Sequence, residues 1–116
     1  MKVKKIRTEA DDYSALNYLT EFYFDQDYDV ISEELDDIVR VFKYENQPLH
    51  YADLPRDIER FVQKYGHSEE ELDHAFNRVF RPQLLLHGPN GRTLHEALSK
   101  IAEIITDPND PGFPRP

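Results

Sequence analysis

Apolar side chains recur along this chain with helical spacing rather than with the strict alternation of strands, and they do so in five segments. The first runs from Asp12 to Phe24, with Leu16, Leu19 and Tyr23 on one side and Ala15, Tyr18 and Phe22 beside them. So wide an apolar face predicts the central helix. The second begins after Ser32, an N-cap residue followed by Glu33 and Glu34, whose charges suit the positive end of the helix dipole. Leu35, Ile38, Val39 and Phe42 form its stripe. The third follows Asp53 and Pro55 and carries Ile58, Phe61, Val62 and Tyr65 up to Gly66, a C-terminal stop. The fourth opens on Ser68-Glu69-Glu70-Glu71, the spacing of a capping box, buries Leu72, Ala75, Phe76 and Val79, and ends at Pro82. The fifth opens on a second box, Thr93-Leu94-His95-Glu96, and runs through Leu98, Ile101 and Ile105.

Between the last two, Gln83-Leu84-Leu85-Leu86-His87 leads into Gly88-Pro89-Asn90-Gly91. A lone strand there would leave its backbone groups unpaired, and no second strand-like run is present, so an extended connection over the core is expected. Residues 1–10 read as a short basic tail. Residues 108–116 read as a Pro-rich tail, because proline removes a backbone donor and clashes with the preceding turn. The expected architecture is all-α, a compact single domain over 11–107 built from about five amphipathic helices, with one short extended segment near 83–87.

Composition sharpens this picture. At 116 residues there is room for one core, and 39% hydrophobic with 12% aromatic side chains is enough to build it, unlike a disordered acidic segment. Cysteine is absent, which removes disulfides, thiolate nucleophiles and cysteine zinc sites and fits a reducing compartment. Met1-Lys2-Val3-Lys4-Lys5 is basic, but no apolar run follows as in a signal peptide. A cytoplasmic location is therefore expected.

Charge is the least even property. Between Arg7 and Arg40 there is no Lys or Arg, yet eleven carboxylates occur: Glu9, Asp11, Asp12, Glu21, Asp25, Asp27, Asp29, Glu33, Glu34, Asp36 and Asp37. The formal charge of -9 comes wholly from this stretch, the remainder being slightly positive. Such a field repels polyanions and steers basic partners toward it. Nucleic-acid binding, which needs a basic footprint, is disfavoured.

Catalytic patterns are weak. Asp25-Gln26-Asp27-Tyr28-Asp29 has the oxygen spacing of a calcium loop, but Val30 stands where the sharp turn needs Gly and Asp36 where a bidentate Glu should close the shell. The histidines His50, His67, His74, His87 and His95 form no ligand pair at helical spacing, so no metal site is expected. No carboxylate pair is singled out by its surroundings as an acid and base would be. Ser14, Ser32, Ser68 and Ser99 lie in helical or capping contexts without a nucleophile elbow. The Gly88–Gly91 turn lacks the lysine and spacing of a phosphate cradle. The reading is a non-enzyme with no cofactor. Its acidic residues interleaved with Tyr23, Phe24 and Tyr28 suit the basic cleft of a nuclease or another phosphate-binding protein. Tyr23 and Phe24 also fit as core side chains, with the acids as a solubilising face.

Phe22-Tyr23-Phe24-Asp25-Gln26-Asp27-Tyr28, closing an aromatic-rich first helix, resembles the signature of the small immunity proteins of bacterial contact-dependent growth inhibition systems. The resemblance continues through Leu54-Pro55-Arg56-Asp57-Ile58, the Ser68-Glu69-Glu70-Glu71-Leu72 helix start and the last amphipathic helix, covering roughly residues 12–106. It implies a non-enzymatic inhibitor that stays in the cytoplasm and binds the toxin domain of its own system. With the acidic charge and the lack of a membrane-length apolar segment, the expected partner is that toxin domain in a 1:1 complex, without nucleic acid or membrane. Phe24, Gln26, Asp27 and Tyr28 carry over as motif residues. Asp25, Asp27, Tyr28, Asp29, Glu33, Asp36 and Asp37 are the expected partner-binding face. Two other readings fit the same residues: a small acidic adaptor or regulatory protein for a basic partner, and a calcium-binding helical domain. Gene neighbourhood separates the first, and a calcium-dependent melting shift the second.

Overall fold

A computed structural model describes residues 7–24, 34–82 and 92–115. Among these the structure is all-α, with no strand. A 3-10 turn over Glu9–Tyr13 leads into α1 (Ser14–Tyr23), followed by α2 (Leu35–Glu45), α3 (Pro48–Tyr51), α4 (Leu54–Tyr65), α5 (Glu69–Phe80) and α6 (Leu94–Thr106). The five helices expected from the apolar spacing are α1, α2, α4, α5 and α6. The one-turn helix α3, started by Pro48 at its first position, is too short to show a period. The segment 83–91, expected to be an extended connection and turn, lies outside the described residues, as does Ser32.

The central helix is α6, not α1. It packs against α2, α4 and α5, and buries Leu94, Ala97, Leu98, Ile101, Ile104 and Ile105. Helix α1 packs on α4 and α2 through Leu16, Leu19 and Tyr23, and it leaves Tyr18 and Phe22 facing out. Two groups of rings fill the interior. Phe61 meets Tyr13 and Phe76 edge-on, with ring centres 5.2 and 6.0 Å apart, and stacks obliquely with Phe80 at 5.2 Å. Phe42 meets Tyr23 edge-on at 5.0 Å and lies 6.0 Å from Tyr51. Such ring pairs each add about 0.5–1.5 kcal/mol beyond the apolar area they bury.

Helix ends show where local signals and tertiary packing part. The first helix was expected from Asp12, but the chain turns as 3-10 until Tyr13 and only then becomes α. The reason is that the amides of Ala15 and Leu16 donate to Asp57 Oδ2 of α4, at 2.9 and 3.2 Å. Asp57 is only 5% exposed and does the work of an N-cap from another helix. Burial pushes its carboxyl up from the ordinary aspartate range, while the two amides pull it down. Helix α2 starts at Leu35, later than the Ser32 cap implied, with Asp36 and Asp37 supplying the acidic first turn. At α5, Ser68 Oγ accepts the Glu71 amide at 3.1 Å as expected. Its neighbour Glu69 reaches instead to α6, where Oε1 accepts the His95 amide at 3.2 Å and Oε2 the Leu94 amide at 2.5 Å. The Thr93–Glu96 box adds a local cap to the same end.

The expected tails also differ. Thr8 caps the 3-10 turn, whose Ala10 is buried, and Glu9 accepts from Lys64 Nζ at 2.9 Å and from the Tyr65 hydroxyl. The segment after α6 crosses α2. Lys43 Nζ donates to the carbonyls of Ile104 at 2.8 Å, Asp107 at 2.7 Å and Asp110, placing a cation on the negative end of α6. Arg40 Nε holds Asp110 at 2.8 Å, and Arg115 forks onto Glu45 at 2.6 and 3.0 Å. Gly112, at φ +76°, sits where a Cβ would run into the Arg40 carbonyl. Prolines do keep this segment out of helix, but side chains from α2 strap it down.

Two outcomes follow. Asp57→Ala leaves two buried amides unpaired and should cost about 1–3 kcal/mol in a denaturant melt, whereas Asp57→Asn, which keeps an acceptor oxygen, should cost less. His95 Nδ1 lies 2.7 Å from Glu69 Oε1 and Nε2 lies 3.1 Å from the Gly66 carbonyl. Both partners only accept, so the imidazolium is the form that satisfies them, and the Glu69 bond raises the His95 pKa. That stabilisation is complete below the ordinary histidine value and is lost as pH rises through the raised one. Melting temperature should therefore fall between pH 6 and pH 9 by more in the native chain than in His95→Gln.

Candidate functional site

The acidic stretch is less uniform in three dimensions than along the chain. Glu9 is ringed by Lys64, the Tyr65 hydroxyl and Arg78, whose Nη1 is 3.5 Å away, and the bonds from Tyr65 and Lys64 hold its carboxyl below the usual range. Asp11 Oδ2 accepts the Thr8 amide at 2.9 Å, and Asp12 pairs with Arg7. Asp36 accepts from both terminal guanidinium nitrogens of Arg92, Nη1 at 2.6 Å and Nη2 at 3.0 Å, which lowers its pKa. Asp37 faces Arg40 at 3.7 Å. Bases remote in sequence therefore offset several of these acids where they stand. Among the described residues Glu21 is exposed and has no basic partner.

The motif at the end of α1 begins inside the core. Phe24 is fully buried, and its amide closes the helix on the Thr20 carbonyl at 3.1 Å. Tyr23 is buried too. Its hydroxyl donates to Glu45 Oε1 at 2.8 Å and accepts from Asn46 Nδ2 at 3.1 Å, and burial, followed by the Glu45 bond, pushes its pKa up to about 12. Asp25, Gln26, Asp27, Tyr28, Asp29 and Glu33 lie outside the described residues. Of the expected face, the structure places Asp36 and Asp37 in the first turn of α2, half-buried and next to their arginines.

Sequence reasoning missed an aromatic surface beside this region. Tyr18 and Phe22 stand out from α1 with ring centres 4.8 Å apart. Tyr18 also lines a groove of about 250 Å³ with Ser14, Ala15, Leu49, His50 and Asp53. The signal was available in the overly wide apolar face of α1: a helix of this length cannot bury all of it in a small domain. Leu49 was hidden in a polar stretch.

Chemistry is sparse. Among the described residues no group of three or more His, Cys, Asp or Glu is placed to hold a metal ion. His50, His67 and His74 are exposed, and His95 is committed to Glu69 and Gly66. No helix among the described residues is long and apolar enough to cross a membrane.

Among the described residues the domain is all-α and turns several large apolar side chains outward, Tyr18, Phe22 and Leu49 among them. Residues 12–105 match the family model of the CdiI immunity protein, and the chain belongs to that family. Proteins of this family are inhibitors rather than enzymes, and this chain is an immunity protein of a contact-dependent growth inhibition system. No curated protein and no solved structure matches it.

Because the Asp36–Arg92 pair ties the start of α2 to the residue before the Thr93 cap of α6, Asp36→Asn should lower stability by about 1 kcal/mol with the toxin absent, as measured by thermal melting.

Proposed function

We propose that this chain neutralises the toxin domain of its own system by direct 1:1 binding, and that the toxin is a nuclease whose basic cleft it covers with an acidic, aromatic-containing face. The observation that carries the reading is the run of carboxylates between Arg7 and Arg40 in a member of an inhibitor family. A nuclease cleft must attract phosphates, so a carboxylate array competes for the same lysines and arginines. The face comprises Asp25, Asp27, Tyr28, Asp29 and Glu33, with Asp37 and Asp36 at the head of α2. Asp36 serves it mainly by fixing that helix, since Arg92 already occupies both its oxygens. Phe24 itself is buried in the core, and Asp25, Gln26 and Asp27 follow it in the sequence.

Co-expression with the protein encoded immediately upstream tests this. A stable complex that rescues growth and dissociates more readily at high salt supports it; a neighbour that is not toxic, or does not bind, overturns it. Asp27→Asn and Asp37→Asn should each weaken toxin binding and flatten its salt dependence. A carboxylate buried in the contact should cost about 2–5 kcal/mol through faster dissociation, and a rim carboxylate should mainly slow association.

A further inference from the structure

We propose that the groove between α1 and α3, with Phe22 at its margin, is the apolar seat of the toxin contact, and that it receives a large apolar side chain which the toxin presents within a ring of lysines or arginines. This rests on the reading above that the chain binds a basic toxin domain.

Three large apolar side chains are turned outward here: Leu49 is 83% exposed, Phe22 59% and Tyr18 38%. Isolated exposed apolar residues are ordinary, but these are joined. Tyr18 touches Phe22 along α1 and shares the groove with Leu49. The seat is backed by the fold. Tyr18 backs onto the buried Phe42 ring, 6.1 Å away, and Leu49 rides on a one-turn helix that starts at Pro48 and is closed by the His50 amide on the Gln47 carbonyl at 2.8 Å. A preformed seat loses little side-chain freedom when it is covered. Ser14 and Ala15 line it from the start of α1, which Asp57 holds by the Ala15 amide.

The occupant is chosen by charge. Asp53 lines the groove, Glu21 directly precedes Phe22, and α1 contains no Lys or Arg. Beyond Phe24 the chain continues into Asp25-Gln26-Asp27-Tyr28-Asp29. A second copy of this chain, docked by a two-fold axis through the patch, would set Asp53 and Glu21 against their own duplicates, which is repulsive. A partner with a basic rim gains from the same acids. An apolar centre inside a charged rim is the arrangement in which a few side chains carry most of an interface's affinity.

The test is calorimetric titration of Phe22→Ala and Leu49→Ala against the purified toxin domain encoded directly upstream. Each should weaken binding by about tenfold or more, leave the slope of log affinity against log salt unchanged, and keep the melting temperature within about 2 °C of the native chain. Binding within about twofold of the native chain would overturn the seat while leaving the acidic-face reading standing, provided Asp27→Asn still weakens it. If the native chain does not bind that toxin, both readings fall. A native dimer that Leu49→Ala makes monomeric, with toxin affinity unchanged, would assign the groove to a second copy and overturn the proposal.

Discussion

The buried carboxylate of Asp57 is the joint on which this fold turns. It receives the first amides of α1 from within α4, and so fixes where α1 begins and at what angle it leaves the core. In a domain of this size a helix end has little room to find water, and its unpaired backbone groups must be met by whatever side chain packs there. The same solution recurs at α6. Glu69 of α5 takes two amides at its start, and Lys43 of α2 takes carbonyls at and beyond its end. Each such bond ties two helices together while satisfying one of them. A substitution at Asp57, Glu69 or Lys43 therefore acts on packing angle as well as on local pairing.

This economy shapes the charge of the surface. Acids that look alike in the sequence differ in whether they hold the fold. Glu9 gathers Lys64, Tyr65 and Arg78 onto the N-terminal turn, and Asp36 fastens α2 to the approach of α6 through Arg92. Neither presents a free carboxylate. Glu21, exposed on the same helix as Tyr18 and Phe22, has no basic partner among the described residues. The outward character of α1 is thus acidic and aromatic together.

Of the motif around Phe24, Tyr23 and Phe24 belong to the core. Phe24 and Tyr23 are interior, one closing α1 and the other bonded to Glu45 and Asn46. They fix the point from which the acidic segment departs.

The sequence by itself determined the helical class, the stripes of α2, α4, α5 and α6, the Thr93–Glu96 box and the Ser68 cap, because these depend on spacings of three or four residues that any helix enforces. It also carried the family motifs. What only the tertiary structure decided involves partners far apart in the chain. Asp57 reaches α1 from 41 and 42 residues away, and Lys43 reaches the segment after α6 across 61 to 67. Local patterns carry no trace of such pairings. For the same reason the sequence could not say which apolar residues of α1 would stay outside. Burial is a competition for a limited core, and Leu16, Leu19 and Tyr23 occupy the side facing α4 and α2, which leaves Tyr18 and Phe22 on the outside.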